Sequence, residues 1–319
     1  MNARSDHLSK YRGVAALAVA GFSAFGLAAC GSSSSTSSNI RVDGSSTVFP
    51  LAQSAAETFN QSKPDVKITV GQSGTGGGFQ KFCAGEIDVA DASRAIHPEE
   101  AAACKSKGIT FQQIQVANDG IAVVANPALG VNCLTVAQLK QIWSKGSTVT
   151  SLSQVDPKLS SQKLSLFGPG SSHGTFEFFT EKINGTKKVS RTDYQPADDD
   201  NQLVTGVEGD KGGFGYFGYS FAAAAGSKLT IVGMNDGKGC IKPSVATVQD
   251  GSYTPLSRPL YMYVNEKSLG TNSSLSDFLT ATVNDSISLA TKTKLVPLTS
   301  TQLTGAQASL ATAEKNATK

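Results

Sequence analysis

Four short segments of the 319-residue chain combine glycine with hydroxyl side chains. They are Asp43-Gly44-Ser45-Ser46-Thr47, Ser73-Gly74-Thr75-Gly76-Gly77-Gly78, Asp91-Ala92-Ser93-Arg94 and Gly168-Pro169-Gly170-Ser171-Ser172-His173-Gly174-Thr175. Each lies where a strand pattern gives way to a helix pattern. A helix N-terminus leaves backbone N–H groups free and carries partial positive charge. Glycine lets a ligand come close to the backbone, and hydroxyls add donors. Together they make an anion site that needs few cations. One such segment alone is usually an N-cap or a turn, but four in one chain point to a shared ligand. The glycine-rich stretch is no Walker loop, because no Gly-Lys-Ser/Thr ends it. Arg94 is the one cation inside a motif.

Alternating elements must carry these segments. Ile40 and Val42 alternate as a strand before the first. Leu51, Ala52, Ala55, Ala56 and Phe59 then recur at helical spacing. Further strands are predicted at 66–70, 87–90, 121–124, 164–167, 214–217, 229–232 and 260–264. Helices are predicted from Pro98, over 135–144 and 176–183, and in one long run from Leu275 to about Ala290. The region 145–163 is polar and loop-like. The fold class is α/β, with helices expected on both sheet faces. No internal repeat is present.

The N-terminus carries Arg4, Lys10 and Arg12, then an apolar run from Val14 to Ala29, then Leu27-Ala28-Ala29-Cys30-Gly31. This order is that of a secretory signal, too short for a stable span. Small residues before Cys30 suit signal cleavage and lipidation of that cysteine, an acyl (palmitate-type) anchor in the cell membrane. Residues 1–29 are therefore read as a signal peptide, and 30–38 as the lipidated cysteine and a serine-rich tether. The leader holds three cations and one acid, so the remainder carries +1 rather than +3. That charge gives no case for nucleic acid or a polybasic membrane surface. Cys83, Cys104, Cys133 and Cys240 remain, an even set in an exported chain. Three disulfide connectivities are open. No C-x-x-C spacing supports a metal.

The segments DGSSTVFPLA, GQSGTGGGFQKFCAGEIDVADASRAI, LFGPGSSHGTFEFFTEKING, DDDNQLVTGVEGDKGGFGYFGYSFA and SRPLYMYVN occur in this order. In combination they resemble the phosphate-binding lipoproteins of bacterial ABC-type phosphate transporters, over residues 40–300. The resemblance implies a two-lobed periplasmic-binding-protein fold of type II with the ligand cleft between lobes. Lobe 1 would be 39–124 plus 257–319, and lobe 2 would be 125–256. Cys83–Cys104 and Cys133–Cys240 are then the favoured pairs, each within one lobe. The resemblance also implies phosphate contacts from Ser46, Thr47 and Val48, from Ser73, Thr75 and Gly76, from Ser93 and Arg94, and from His173, Gly174 and Thr175. Some members place an aspartate at the position of Ser93, where it accepts the proton of hydrogen phosphate. Here Asp91, Asp119 or a backbone carbonyl must supply that acceptor. His173 replaces a usual serine. An arginine common upstream of the fourth motif is absent, with Pro169 near its place, and Arg94 is expected to take over its charge.

The implied function is capture of inorganic phosphate by a monomer on the outer face of the cytoplasmic membrane. Delivery would be to ABC permease subunits served by a cytoplasmic ATPase, with no cofactor. A surface sensor or adhesin of the same fold is the second reading. A serine-type phosphoester hydrolase using Ser172 and His173 is the third. It lacks a G-x-S-x-G elbow, a third orienting group and a two-metal cluster.

Overall fold

The computed structural model describes residues 39–171, 173–197 and 199–318. The signal and Cys30 lie outside these residues, as does Ser172. From the N-terminus come β1 (Asn39–Gly44), α1 (Phe49–Ser62), β2 (Lys67–Val70), α2 (Thr75–Cys83), β3 (Val89–Ala92), α3 (Pro98–Ser106) and the long strand β4 (Phe111–Ala125). Then follow β5 (Cys133–Thr135), α4 (Val136–Trp143), β6 (Ser165–Pro169), α5 (Gly174–Phe179), β7 (Gln195–Ala197), α6 (Asp200–Gly209), β8 (Gly213–Gly218) and α7 (Tyr219–Ala225). The chain continues through β9 (Thr230–Asn235), β10 (Cys240–Ile241), α8 (Val245–Gln249), β11 (Ser257–Asn265), α9 (Glu266–Thr271), α10 (Ser273–Asn284), α11 (Ser286–Lys292) and α12 (Ser300–Ala317).

The strand order is β2-β1-β3-β11-β4-β8-β6-β7, with β9 pairing β4, β5 and β10. Strands β1, β2 and β3 are mutually parallel, as are β6, β7 and β8, which fits strands joined through crossover helices. The long β4 and β11 run antiparallel to each other, with Arg258 opposite Asp119.

Apolar residues divide into cores that change along β4. Val116 and Ala117 pack with α1, α10, α11 and α12. Ile121, Val123 and Ala125 pack instead with Trp143, Phe176 and Phe179. Smaller clusters lie on the opposite faces. Phe79, Phe82 and Cys104 meet Ala90 and Tyr263, while Leu203, Val207 and Ala222 meet Ala122 and Phe217. Helices thus cover both faces of each half, as the strand–helix alternation requires.

Several elements depart from the sequence expectation. The long helix expected from Leu275 to Ala290 breaks at Asp285 into α10 and α11. Asn284, Asp285 and Ser286 are poor helix formers whose side chains compete for backbone groups. The strand expected at 121–124 begins ten residues earlier, at Phe111. The third strand is shifted to Val89–Ala92, and the helix expected from Phe176 starts at Gly174 and continues as a wide turn over Thr180–Asn184. Cys83 is bonded to Cys104, and Cys133 to Cys240. The first of these ties α2 to α3.

Candidate functional site

The ends of β1 and β3 lie side by side, with Gly44 opposite Asp91. Ser45 N–H donates to the Asp91 carbonyl at 2.8 Å, and Ser45 Oγ accepts from Thr47 N–H at 3.2 Å. This folds 45–48 into a tight turn ahead of α1. Gly44 has φ +143°, and a Cβ there would stand 2.1 Å from the Asp91 carbonyl oxygen. Only glycine fits that approach. The glycine-rich segment docks on the same turn. Gly74 N–H donates to Gly44 O at 2.7 Å, and Ser73 N–H to Asp43 Oδ1 at 2.8 Å. At the start of α2, Thr75 Oγ1 lies 3.1 Å from Ser93 Oγ and accepts from Ser93 N–H at 3.2 Å. Both side chains are buried. Three of the four motifs thus form one continuous surface.

The fourth motif reaches this surface from the other core. Gly174 N–H donates to Ser46 Oγ at 3.0 Å, and a Cβ on Gly174 would lie 2.7 Å from Thr47 Oγ1. His173 caps α5, its Nδ1 accepting from Thr175 N–H at 3.1 Å. Thr175 is buried behind it.

The guanidinium at this junction belongs to Arg258. Its Nη2 donates to Thr47 Oγ1 at 3.0 Å and to Asp119 Oδ2 at 2.8 Å. Its Nε donates to the same Asp119 oxygen at 3.0 Å, and Nη1 to Gly174 O at 3.4 Å. The group lies 4.4 Å from the centre of the Phe178 ring. Arg258 and Asp119 are a buried pair with side-chain exposures of 3% and 9%. Sequence reasoning did not single out Arg258. The available signal was its place at the head of SRPLYMYVN.

Arg94 is committed elsewhere. Its Nη1 and Nη2 hold Glu100 at 2.8 and 2.7 Å, and it lies 5.5 Å from the Phe79 ring centre. Burial opposes its charge, but the Glu100 carboxylate outweighs that and raises its pKa. Burial likewise opposes ionisation of Glu100, yet Arg94 and the His97 N–H bring its pKa below the usual range. Arg94 Nε is buried with no hydrogen-bond partner among the described residues. Ser73 is exposed, and space around Gly76 is open. Val48 is fully buried in the α1 core, so only its backbone faces the turn.

The carboxyls differ in setting. Asp91 is fully buried, and neither oxygen has a hydrogen-bond partner among the described residues. Burial, then the field of Asp43, pushes its pKa well up and favours the neutral acid. Strand alternation puts it on the face of Val89, beneath the turn. Burial opposes ionisation of Asp43, yet Lys81 and Ser73 together bring its pKa below the usual range. At the N-terminus of α6, Asp200 accepts from Gly218 N–H at 3.2 Å. Burial, opposed by that bond and aided by Asp119 and Asp199, pushes it up to about 6. No group of three or more His, Cys, Asp or Glu among the described residues is placed to hold a metal.

The arrangement offers hydroxyls, helix-start N–H groups and one buried guanidinium to a small anion, with a carboxylate beside them. Residues 31–286 match the PBP superfamily domain. Protein SphX of Synechocystis sp. is 39% identical over 276 residues, covering 86% of this chain and 82% of that protein. Phosphate-binding protein PstS of Staphylococcus saprophyticus is 39% identical over 268 residues, covering 81% and 82%. Among solved structures, a possible phosphate binding protein from Planctomyces limnophilus aligns with a TM-score of 0.79 at 45% identity, covering 87% of this chain and 99% of that one. An ABC-type phosphate transport receptor from Vibrio cholerae shares the fold, with a TM-score of 0.68 at 22% identity. By fold and sequence together, the chain belongs to the PBP superfamily and, within it, to the family that includes phosphate-binding protein PstS and protein SphX.

Proposed function

We propose that this chain binds inorganic phosphate in the junction of the four motifs and presents it to an ABC-type permease. The observation that carries this reading is the convergence of Ser46, Thr47, Gly174 and Arg258, beside the buried Thr75–Ser93 pair. Ser46, Thr47, Thr75 and Ser93 supply hydroxyls, and the start of α2 supplies N–H groups. Arg258 supplies the charge that the resemblance assigned to Arg94. A buried anion needs every oxygen hydrogen-bonded, and this set can do so with a single arginine.

The change of core along β4 supports the two-lobe reading. Residues up to Ala117 and the C-terminal helices make one lobe, and the region from Ile121 to Leu256 makes the other. Strands β4 and β11 cross between them. Closure is a hinge motion, and the permease reads the closed form.

For the proton of hydrogen phosphate, the geometry favours Asp119 over Asp91. Asp119 stands in the bonded cluster with Arg258 and Thr47, whereas Asp91 is fully buried away from that cluster. An acceptor matters because sulfate has no proton to give it, and an unpaired carboxylate repels that anion. The N-terminal signal and Cys30 make the chain a lipoprotein outside the cytoplasmic membrane. No helix among the described residues is long and apolar enough to cross a membrane.

Equilibrium dialysis with labelled phosphate tests the site. The wild-type chain is expected to retain phosphate without added metal, and Asp119→Asn to lose discrimination against sulfate. Unchanged discrimination in that variant removes Asp119 as acceptor. Membrane fractionation of a Cys30→Ser variant tests the anchor: release is expected, and retention at wild-type level would refute it.

A further inference from the structure

The Arg258 guanidinium is held by one core strand and touched by both halves of the molecule. Arg258 on β11 lies directly opposite Asp119 on β4 in the antiparallel ladder. Two of its N–H groups end on Asp119 Oδ2, at 2.8 and 3.0 Å. Its position is therefore set by the two crossing strands, independently of either lobe. From one side, Thr47 Oγ1 accepts from it at 3.0 Å, in the turn before α1. From the other, the Gly174 carbonyl accepts at 3.4 Å, and the Phe178 ring packs 4.4 Å away. Thr47 adjoins the α1 core, whereas Phe178 belongs to the core of Trp143 and Phe179.

We infer that Arg258, fixed by Asp119, is the positioning residue on which both lobes dock, so that it couples anion binding to closure of the cleft. This rests on the phosphate-binding reading above and goes beyond it. Parting the lobes must break its contacts on at least one side, because Thr47 and Gly174 move with different cores. The guanidinium would then lose Thr47 or the Gly174 carbonyl and the Phe178 ring, and the N–H freed there would turn to water. A closed cleft satisfies both sides together. The fork matters as well as the charge. Arginine can serve Asp119, Thr47 and Gly174 at once from a rigid plane, which a lysine ammonium cannot.

The test separates binding from closure. Occupancy is read by equilibrium dialysis with inorganic phosphate, and closure by the change in radius of gyration in small-angle scattering at saturating phosphate. Wild-type chain is expected to contract on binding. Arg258→Lys is expected to bind phosphate more weakly, and at saturating phosphate to contract by less than half of the wild-type change. Arg258→Gln is expected to lose both affinity and contraction. A merely structural role would lower the melting temperature yet leave contraction at full occupancy unchanged. Full contraction in Arg258→Lys at saturation therefore overturns the proposal. If the arginine variants do not fold, Phe178→Leu keeps the guanidinium and removes the ring. Reduced contraction at full occupancy is expected there, and wild-type contraction overturns the proposal. A wild-type chain that binds no phosphate overturns the phosphate reading and this coupling with it. Binding with unimpaired closure in the variants overturns the coupling alone.

Discussion

Thr75 and Ser93 share a buried contact in which one oxygen already accepts a backbone N–H. Their remaining hydroxyl capacity is what a bound anion would use. Losing one buried hydrogen bond to a charged group costs roughly 1.5–3 kcal/mol, or about 10- to 150-fold in affinity. Thr75→Ala and Ser93→Ala are each expected to weaken phosphate binding by that amount in calorimetric titration. Arg94→Gln is expected to weaken it at least tenfold less than Arg258→Gln, since Arg258 contacts Thr47 and Gly174 whereas Arg94 pairs with Glu100. Equal losses would return the charge to Arg94. The two arginines also show what was legible at this scale. Arg94 sits inside a glycine–hydroxyl motif and stands out by local composition. Arg258 follows an ordinary serine and precedes a proline, and only the pairing of β4 with β11 brings it to Thr47, far along the chain. Asp200 gives a prediction of a different kind. Its pKa is raised to about 6 from 3.8, so the folded chain holds that proton more tightly than the unfolded chain. Stability from this group is fully present below about pH 4 and declines as pH rises through 6. Asp200→Asn is expected to remove a penalty of about 3 kcal/mol at neutral pH. Thermal melts should show the largest gain near pH 7.5 and little near pH 4. A gain independent of pH would contradict this.

The site depends on how β1, β3 and α2 meet, and that depends on Gly44. Its φ is +143°, and a methyl group there would strike the Asp91 carbonyl. Gly44→Ala is expected to cost about 3 kcal/mol or more, because strand β3 must move or the turn must refold. Chemical denaturation reads this directly. The disulfides act on the unfolded chain. Cys83–Cys104 spans 21 residues and Cys133–Cys240 spans 107. Loop-closure entropy gives about 3 kcal/mol for the first and nearly 5 (roughly) for the second. Removing the longer loop by paired Cys→Ala substitutions is thus expected to lower the melting temperature more. The reverse order would show that α2–α3 tethering dominates. Elements differ in how plainly they are written. Helix α1 is explicit in the spacing of Leu51, Ala55, Ala56 and Phe59. Helix α12 buries only Ala306, Leu310 and Ala313, so its apolar stripe is thin and no pattern marks it. Its one local sign is the Thr299–Gln302 capping box. The first half of β4 reads as polar because the adjacent Gln112 and Gln113, with Gln115, interrupt the apolar pattern, and pairing with β11 extends the strand.

At the scale of the molecule, the two cores are joined along β4 and β11, and the four motifs meet where these strands cross. Neither core alone carries the whole of the proposed anion site: Thr47, Thr75 and Ser93 come with one half, Gly174 and Phe178 with the other. On the proposed reading, a receptor built this way would release its ligand by parting the lobes. It would also have to remain near the proposed permease while it moves, and a lipidated Cys30 on the serine-rich 31–38 segment would allow both. The direct measurement is calorimetric titration of the chain with phosphate and with sulfate in metal-free buffer. Tight binding of one phosphate per chain, with sulfate far weaker, is expected. Absence of heat with phosphate, or equal affinity for sulfate, would contradict phosphate recognition at this site.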